Sequence, residues 1–413
     1  MKQLLHKFWN SEFGEVKPTY LGLIGGAIVL IALVYVSGEV LFGLHPESAP
    51  FNLTHVWTFF TKGGDLPAGS SSLKPWFPQL WVGLALLCVI IRITVIIASY
   101  IQSKKVLGEQ AFAHYFVTYF SSFIIATIAS FALLFGIAGI FHAAGYTLAD
   151  SNIARNAFLA IEAWTNEHIP SLFNVHSYWL ALAITFSVAA LPNYAVHWLC
   201  HQSRFVWYVF HRCHHAPEFL HPLAAPPAYA FDFLLALPFG LVALIVSKLV
   251  YTQPLVMELS LYYLLGYWLE IFNHSIVHYQ FARNNFIVRH LSHFYGDRGV
   301  YHLMHHSAKD GDQVINVGAG PFMMWDRLFG TYRAPYAEAP PLGLTNTPPI
   351  SHNPMRIIFS GIVQIWYELR MNKSWRTRFK IIFGSIYYKP PITKEFLILD
   401  EGEAILKPAF DGR

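Results

Sequence analysis

The stretch "SYWLALAITFSVAALPNYAVHWLCH", residues 177–201, joins a long apolar run to two histidines spaced four residues apart. Its first twenty residues, up to Val196, contain no charged side chain. A run of that length is typical of a helix that crosses about 30 Å of hydrocarbon. His197 and His201 follow at once and would share one face of a continuing helix. The stretch therefore predicts a membrane helix with a histidine-bearing end.

The composition of the whole chain agrees with this interpretation. Of 413 residues, 54% are hydrophobic and 13% are charged, whereas soluble domains carry about 25% charged residues. The net charge of +4 is too small to indicate a nucleic-acid partner. Three scattered cysteines do not form a disulfide framework. We therefore expect an all-α integral membrane protein with few strands.

Apolar segments predict four to six transmembrane helices. Four predicted spans begin at Leu21, Gln79, Val117 and Ser177. Two further segments, Phe231–Tyr251 and Leu255–Phe272, could form a hairpin that enters the bilayer with or without crossing it. Lysines and arginines near the spans predict both termini in the cytosol. The histidine clusters would then lie on the cytosolic face of a bacterial inner membrane or an ER-like membrane.

Three regions are expected along the chain. Residues 1–110 would form a two-span membrane region with an external loop, and residues 111–335 a membrane and cytosolic catalytic domain. Residues 336–413 would form a linker and a basic, amphipathic tail. The tail could contain a helix lying on the membrane surface or a helix packed on the main domain, and the sequence favours neither.

Ten histidines form four clusters, two with the spacing HxxxH and two with the spacing HxxHH. Positions i, i+3 and i+4 share one helical face, and neutral imidazole suits iron, zinc, copper and nickel. Ten converging imidazoles exceed the needs of one ion, so we predict a binuclear site in a helical bundle. A surface pH sensor is the alternative. The candidate ligands are His197, His201, His211, His214, His215, His274, His278, His302, His305 and His306.

Two other residues could support the ligands. Glu270 precedes His274 by four residues and His278 by eight, so a continuous helix would place all three on one stripe. Glu270 could then orient a ligand histidine or face a lipid headgroup. Asn273 could reach a metal-bound water or cap a helix end. His221, outside the cluster spacing, is expected to be solvated.

The clusters and their surroundings resemble the fatty acid hydroxylase/sterol desaturase superfamily of membrane di-iron oxygenases. The resemblance covers residues 177–335 and includes "FVWYVFHRCHHAPEF" and "YHLMHHSAKDGDQVINVGAGPFMMWDRLFGTY". It implies that the ten histidines bind two iron ions. The family often has an acid before the first cluster and an arginine after its first histidine. Here "AALPNYAVHW" has no acid and Trp198 takes the arginine position, which leaves the supporting residues of that cluster unknown.

The resemblance implies O2-dependent oxidation, most simply hydroxylation, of a C–H bond in a lipid or other hydrophobic substrate. Desaturation and ether-lipid or sterol oxidation are alternatives within the superfamily. The sequence lacks a nucleotide-binding GxGxxG and a four-cysteine iron–sulfur set, so we expect a separate electron donor: a cytochrome b5, a ferredoxin or a flavin reductase. A membrane binuclear zinc hydrolase, with Glu270 or Asp312 as base, is an alternative from another class. A metal transporter is a third, although its ligands should lie at the bilayer midplane.

Overall fold

A computed structural model describes residues 77–143, 163–224, 242, 244–252, 255–318, 320–344 and 350–398. The first predicted span and most of the fifth lie outside these residues. The described parts are mostly helical, and among them β-structure is limited to isolated bridges such as Ser203 to Ser385. The main helices are α1 Phe77–Leu107, α2 Glu109–Ala143, α3 Tyr178–Cys200, α4 Arg204–Val206, α5 Arg212–His215, α6 Val256–Asn273, α7 Tyr279–Asn284, α8 Phe286–Tyr295, α9 Val300–His305, α10 Met324–Phe329, α11 Pro354–Met371 and α12 Trp375–Phe383.

Two of the described helices are long and apolar enough to cross a membrane: Leu86–Leu107 within α1, and α3. They coincide with the predicted second and fourth spans. The predicted third span lies within the 35-residue helix α2, and the sixth coincides with α6. The structure therefore supports helices at these positions, while the count of four to six spans stays a prediction.

Helices α1 and α2 form a tight hairpin. Gly108, between them, has a φ of 78°, in the left-handed region that glycine enters without steric cost. The ring of Tyr100 on α1 meets Phe112 and Phe116 on α2 edge-on, with centroids 5.1 and 5.6 Å apart. These contacts fix the hairpin against the segment that follows the second histidine cluster, because Phe116 also packs on His221.

Helix α6 packs against α1 and α9 and forms the main apolar core. Leu269 and Phe272 of α6 meet Leu303 and Met304 of α9 in this core, and all four are buried. Burial of a leucine-sized side chain stabilises the fold by about 2 kcal/mol. Because His302 and His305 flank Leu303 and Met304 along α9, the packing that holds the helix also fixes its histidines.

The C-terminal helices cover the segment that carries the second cluster. Helix α11 begins with an Asn353 cap that accepts hydrogen bonds from the amides of residues 355 and 356, a strong helix-start signal. At Gly361 it approaches the main chain of Tyr208 so closely that a Cβ would overlap with the carbonyl oxygen. Of the two alternatives for the tail, packing on the main domain is therefore observed for α11.

Candidate metal centre

Four histidines from three elements meet in a first group. His197 and His201 lie at the end of α3, His211 ends a π-helical turn, and His305 ends α9. Their candidate ligand atoms all lie within 4.8 Å of one another. The Nε2 atoms of His201 and His211 are 2.9 Å apart, and those of His201 and His305 are 3.0 Å apart. The imidazoles therefore point their Nε2 atoms at a common centre.

A second group of four histidines lies beside the first. It consists of His214 from α5, His274 after α6, and His302 and His306 at α9, again with ligand atoms within 4.8 Å. The Nε2 atom of His302 is 3.2 Å from that of His274 and 3.1 Å from that of His306. The third and fourth clusters thus meet the middle histidine of "HRCHH".

His215 lies between the two groups. Its Nε2 atom is 3.1 Å from that of His211 and 3.0 Å from that of His305, in the first group. Its ring also stacks on His306 of the second group, with centroids 4.4 Å apart. The two groups are therefore adjacent, as a binuclear site requires.

The donor atoms fit two metal ions of the first transition row. Two nitrogens bound about 2.1 Å from one ion are about 3.0 Å apart at a right angle and about 3.4 Å apart at the tetrahedral angle. The Nε2 separations of 2.9 to 3.4 Å within the groups fall close to this range. Burial lowers the pKa of the ligand imidazoles, which keeps them neutral and able to bind metal. This direction holds for His201, His211, His215, His274, His302, His305 and His306.

The main chain of residues 313–317 orients the first group. The carbonyl oxygens of Val317 and Ile315 lie against the Nδ1 atoms of His197 and His305. A carbonyl can only accept, so Nδ1 carries the proton and Nε2 presents its lone pair to the centre. The main chain of Gln313 accepts from the ring of His201. Three alternate carbonyls thus set three ligand tautomers.

Asp326 holds this segment in place. Its carboxylate accepts hydrogen bonds from the amides of Val317 and Gly318 and from the hydroxyl of Thr331. Asp326 belongs to the "WDRLFGTY" motif and is fully buried. Burial raises its pKa to about 6, although these hydrogen bonds oppose the shift. The motif therefore supports His197 through the main chain rather than by direct contact.

Glu270 and Asn273 make their contacts with residues other than the candidate ligands. Glu270 pairs with Arg298 at 3.2 Å and lies 4.0 Å from Arg92. Asn273 accepts a short hydrogen bond from the amide of Gly299, at the start of α9. Arg298 also pairs with Asp297 at 3.0 Å. These residues join α6 to the turn that precedes His302.

The expected stripe of Glu270, His274 and His278 on one continuous helix is wrong, because α6 ends at Asn273. Ser275 has a non-helical backbone, with φ −120° and ψ 83°, and a 3₁₀ turn follows it. His278 consequently lies outside both groups, and its Nδ1 faces the hydroxyls of Ser275 and Ser99 at 2.8 and 3.1 Å.

The solvated position expected for His221 is also wrong. His221 is fully buried against Phe112 and Phe116, and its Nδ1 accepts from the amide of Leu223.

A carboxylate lies near the first cluster, although the sequence that precedes the cluster has no acid. Asn193, one helical turn before His197, donates to the carboxylate of Asp297 at 3.0 Å. Asp297 in turn pairs with Arg298 and through it with Glu270. The turn before α9 therefore brings a carboxylate to the helical turn that precedes the first cluster, a contact distant in sequence that the local pattern could not predict.

Together these features define a helical protein with two adjacent, buried histidine groups, each of which could hold a metal ion. The family model described as "Fatty acid hydroxylase" matches residues 179–331, which include all ten candidate ligands. This segment of the chain is therefore similar to the fatty acid hydroxylase/sterol desaturase superfamily. None of the curated proteins matches the chain, and none of the solved structures does either.

Proposed function

We propose that the chain is a membrane di-iron oxygenase that hydroxylates a C–H bond in a lipid or other hydrophobic substrate. The observation that carries the proposal is the pair of adjacent four-histidine groups inside the segment matched by the family. Two histidine groups of similar size suit a pair of like ions. Imidazole accepts iron, the metal that the family typically uses.

The histidines present neutral nitrogen donors to the centre, which suits the binding of iron. Two bound iron ions, supplied with O2 and two electrons, would provide the oxidising power needed to attack an unactivated C–H bond. His197, His201 and His305 are held by main-chain carbonyls in the tautomer that binds metal. The buried side chains of Leu303 and Met304 limit the access of water to the ligands, which suppresses side reactions.

The surroundings favour a hydrophobic substrate delivered from the bilayer. The first group begins at the end of α3, one of the two helices apolar enough to span a membrane. A lipid chain in the bilayer could reach the site from that side, while electrons arrive from a cytosolic donor such as a cytochrome b5, a ferredoxin or a flavin reductase. The ligand set does not distinguish hydroxylation from desaturation, and desaturation is the alternative product.

The contacts of the carboxylates weigh against a zinc hydrolase. Among the described residues, neither four-histidine group includes a carboxylate that could bridge ions or act as a base. Asp312 accepts hydrogen bonds from Ser307 at 2.7 Å and Tyr336 at 3.0 Å, and Glu270 is paired with Arg298. Both carboxylates named as candidate bases are thus engaged in structural contacts.

The test combines lipid analysis with metal analysis. The lipids of cells that produce the wild type are compared with those of cells that produce His214→Ala. His290→Ala serves as the control, because the ring of His290 contacts the carbonyl oxygen of Phe286, outside the site. We expect an oxidised lipid, carrying label from ¹⁸O2 if hydroxylated, in wild-type and control cells alone. Zinc in active protein, or turnover without O2, would contradict the proposal. Turnover of purified protein with NAD(P)H alone would contradict the separate donor.

A further inference from the structure

Helix α12 exposes a row of aromatic side chains. Trp375, Phe379 and Phe383 are 71%, 56% and 69% exposed and follow one another at four-residue intervals, on one helical face. The opposite face is used for packing, since Ile381 is fully buried with Val209. The aromatic row is therefore the outer face of a helix that is anchored on its inner face.

Basic residues flank this row on both sides. On a helical projection Arg376 and Lys380 lie on one side of the row and Arg378 on the other. The whole segment 373–389 contains five lysines and arginines and no acid. Aromatic rings between cations suit a surface that is apolar below and anionic above, as a phospholipid interface is.

The position of α12 in the fold places the row beside the end of a candidate span. The residue after α12, Gly384, accepts a hydrogen bond of 2.8 Å from the amide of Arg204, and Ser385 bridges to Ser203. These two partners follow Cys200, the end of α3, by only a few residues. If α3 spans the bilayer, Phe383 lies near the depth where hydrocarbon gives way to headgroups, the depth that tryptophan and other amphipathic aromatic residues prefer.

We propose that α12 lies on the membrane surface, with its aromatic row inserted at the interface and its flanking basic residues bound to anionic phospholipid headgroups. The absence of acid from residues 373–389 and the closeness to the end of α3 favour a lipid over a second copy of the chain. The inference concerns an outward-facing surface that contains none of the candidate ligands, and it is independent of the reaction proposed above.

The test uses the full chain in lipid nanodiscs with the photoreactive residue benzoylphenylalanine at one position. Phe379 is replaced on the aromatic row, and the exposed Glu338 is replaced as a matched control. We expect lipid adducts on the order of tenfold more abundant at 379 than at 338, and more abundant with phosphatidylglycerol than with phosphatidylcholine alone. Equal adduct levels at both positions, or adducts mainly to a second protein chain, would overturn the proposal.

Two further variants sharpen the result. Arg376→Gln with Lys380→Gln, in the protein labelled at 379, should reduce the preference for phosphatidylglycerol by up to about fivefold per residue; an unchanged preference would overturn the role of the basic residues. His302→Ala should leave the lipid adducts at 379 unchanged. This variant separates the two proposals, because a loss of oxidation activity without a loss of lipid adducts leaves the membrane contact of α12 intact.

Discussion

An ion pair between the C-terminal helix α11 and the start of α4 is buried almost completely. The side chains of Arg204 and Glu368 are 1% and 0% exposed, and their closest nitrogen and oxygen atoms are 2.6 Å apart. Arg204 also donates to the carbonyl of Tyr388 at 2.9 Å, and Thr393 donates to Glu368. The pair thus fastens α11 and the following segment to the residues that lead into the π-helical turn ending at His211.

Replacement of Glu368 by glutamine tests how much this pair contributes. The substitution preserves the shape of the side chain but leaves the Arg204 charge buried without its counter-ion. Removal of one partner from a buried pair costs about 3–5 kcal/mol, which lowers the folding equilibrium constant by a factor of about one hundred or more. The control is Glu109→Gln, because Glu109 pairs with Lys104 at the same 2.6 Å but with side chains 61% and 44% exposed. Solvent screens that pair, and its loss should change stability little.

The assay is denaturant unfolding of the full chain in detergent micelles, followed by tryptophan fluorescence. We also expect Glu368→Gln to lose bound metal to a chelator faster than the wild type, because the element that carries His211 loses its support. The double variant Arg204→Met/Glu368→Met should recover much of the lost stability, since it removes both charges. Equal destabilisation by Glu368→Gln and Glu109→Gln, or no recovery in the double variant, would refute the reasoning.

Three further predictions concern the metal centre and its supports. His302→Ala should lose at least one metal ion, whereas His278→Ala should keep both, as measured by elemental analysis of purified protein. Because the folded-state pKa of Asp326 is raised to about 6, its contribution to stability is full below about pH 4 and is lost as the pH rises to 6. Stability of the wild type relative to Asp326→Asn should therefore fall by about 3 kcal/mol between pH 4 and pH 7, and a pH-independent difference in denaturant titrations would contradict this. Gly361→Ala should destabilise by about 1–3 kcal/mol through overlap with the main chain of the π-helical turn; Gly136→Ala, which has open space around it, should not, in the same unfolding assay.

The spacing of the histidines predicted much of the centre because most of it is helical. His302, His305 and His306 lie at the end of α9, and their i, i+3, i+4 pattern turns them to the same side. The pattern failed for His274 and His278 because the helix ends at Asn273. At that end the side chain of Asn273 accepts a hydrogen bond from the amide of Gly299, a residue distant in sequence, and the spacing of the histidines does not predict such a contact.

A local distortion accompanies the second cluster. His211 ends a π-helical turn, Trp207–His211, before the regular helix α5 begins. The predicted regular helix carrying His211, His214 and His215 is therefore observed only from Arg212 onward, and the prediction did not include the extra residue in the turn that ends at His211. Turns of this kind are often found at functional sites, and the sequence carries no simple signal for them.

The orientation of the first group could not be predicted from side chains, because main-chain carbonyls provide it. Every residue has such a carbonyl, so the functional use of Gln313, Ile315 and Val317 leaves little trace in the sequence. A partial signal was present in "DQVINVGAG", the segment after the last cluster that the family resemblance includes. Its importance became clear only from the contacts with His201, His305 and His197.

This use of the main chain makes the centre tolerant of sequence change. A substitution at Gln313 or Ile315 alters the side chain but leaves the carbonyl in place, so the hydrogen bond to the histidine survives wherever the backbone keeps its path. The partly exposed side chains of Gln313 and Val314 are therefore open to variation, whereas Ile315 and Val317 are buried in apolar clusters and Asn316 accepts a hydrogen bond from the amide of Arg333. Variation of the partly exposed side chains in this segment could reshape the surroundings of the metals. Replacement of a backbone amide by an ester there would weaken the carbonyl acceptors, which side-chain substitutions leave intact.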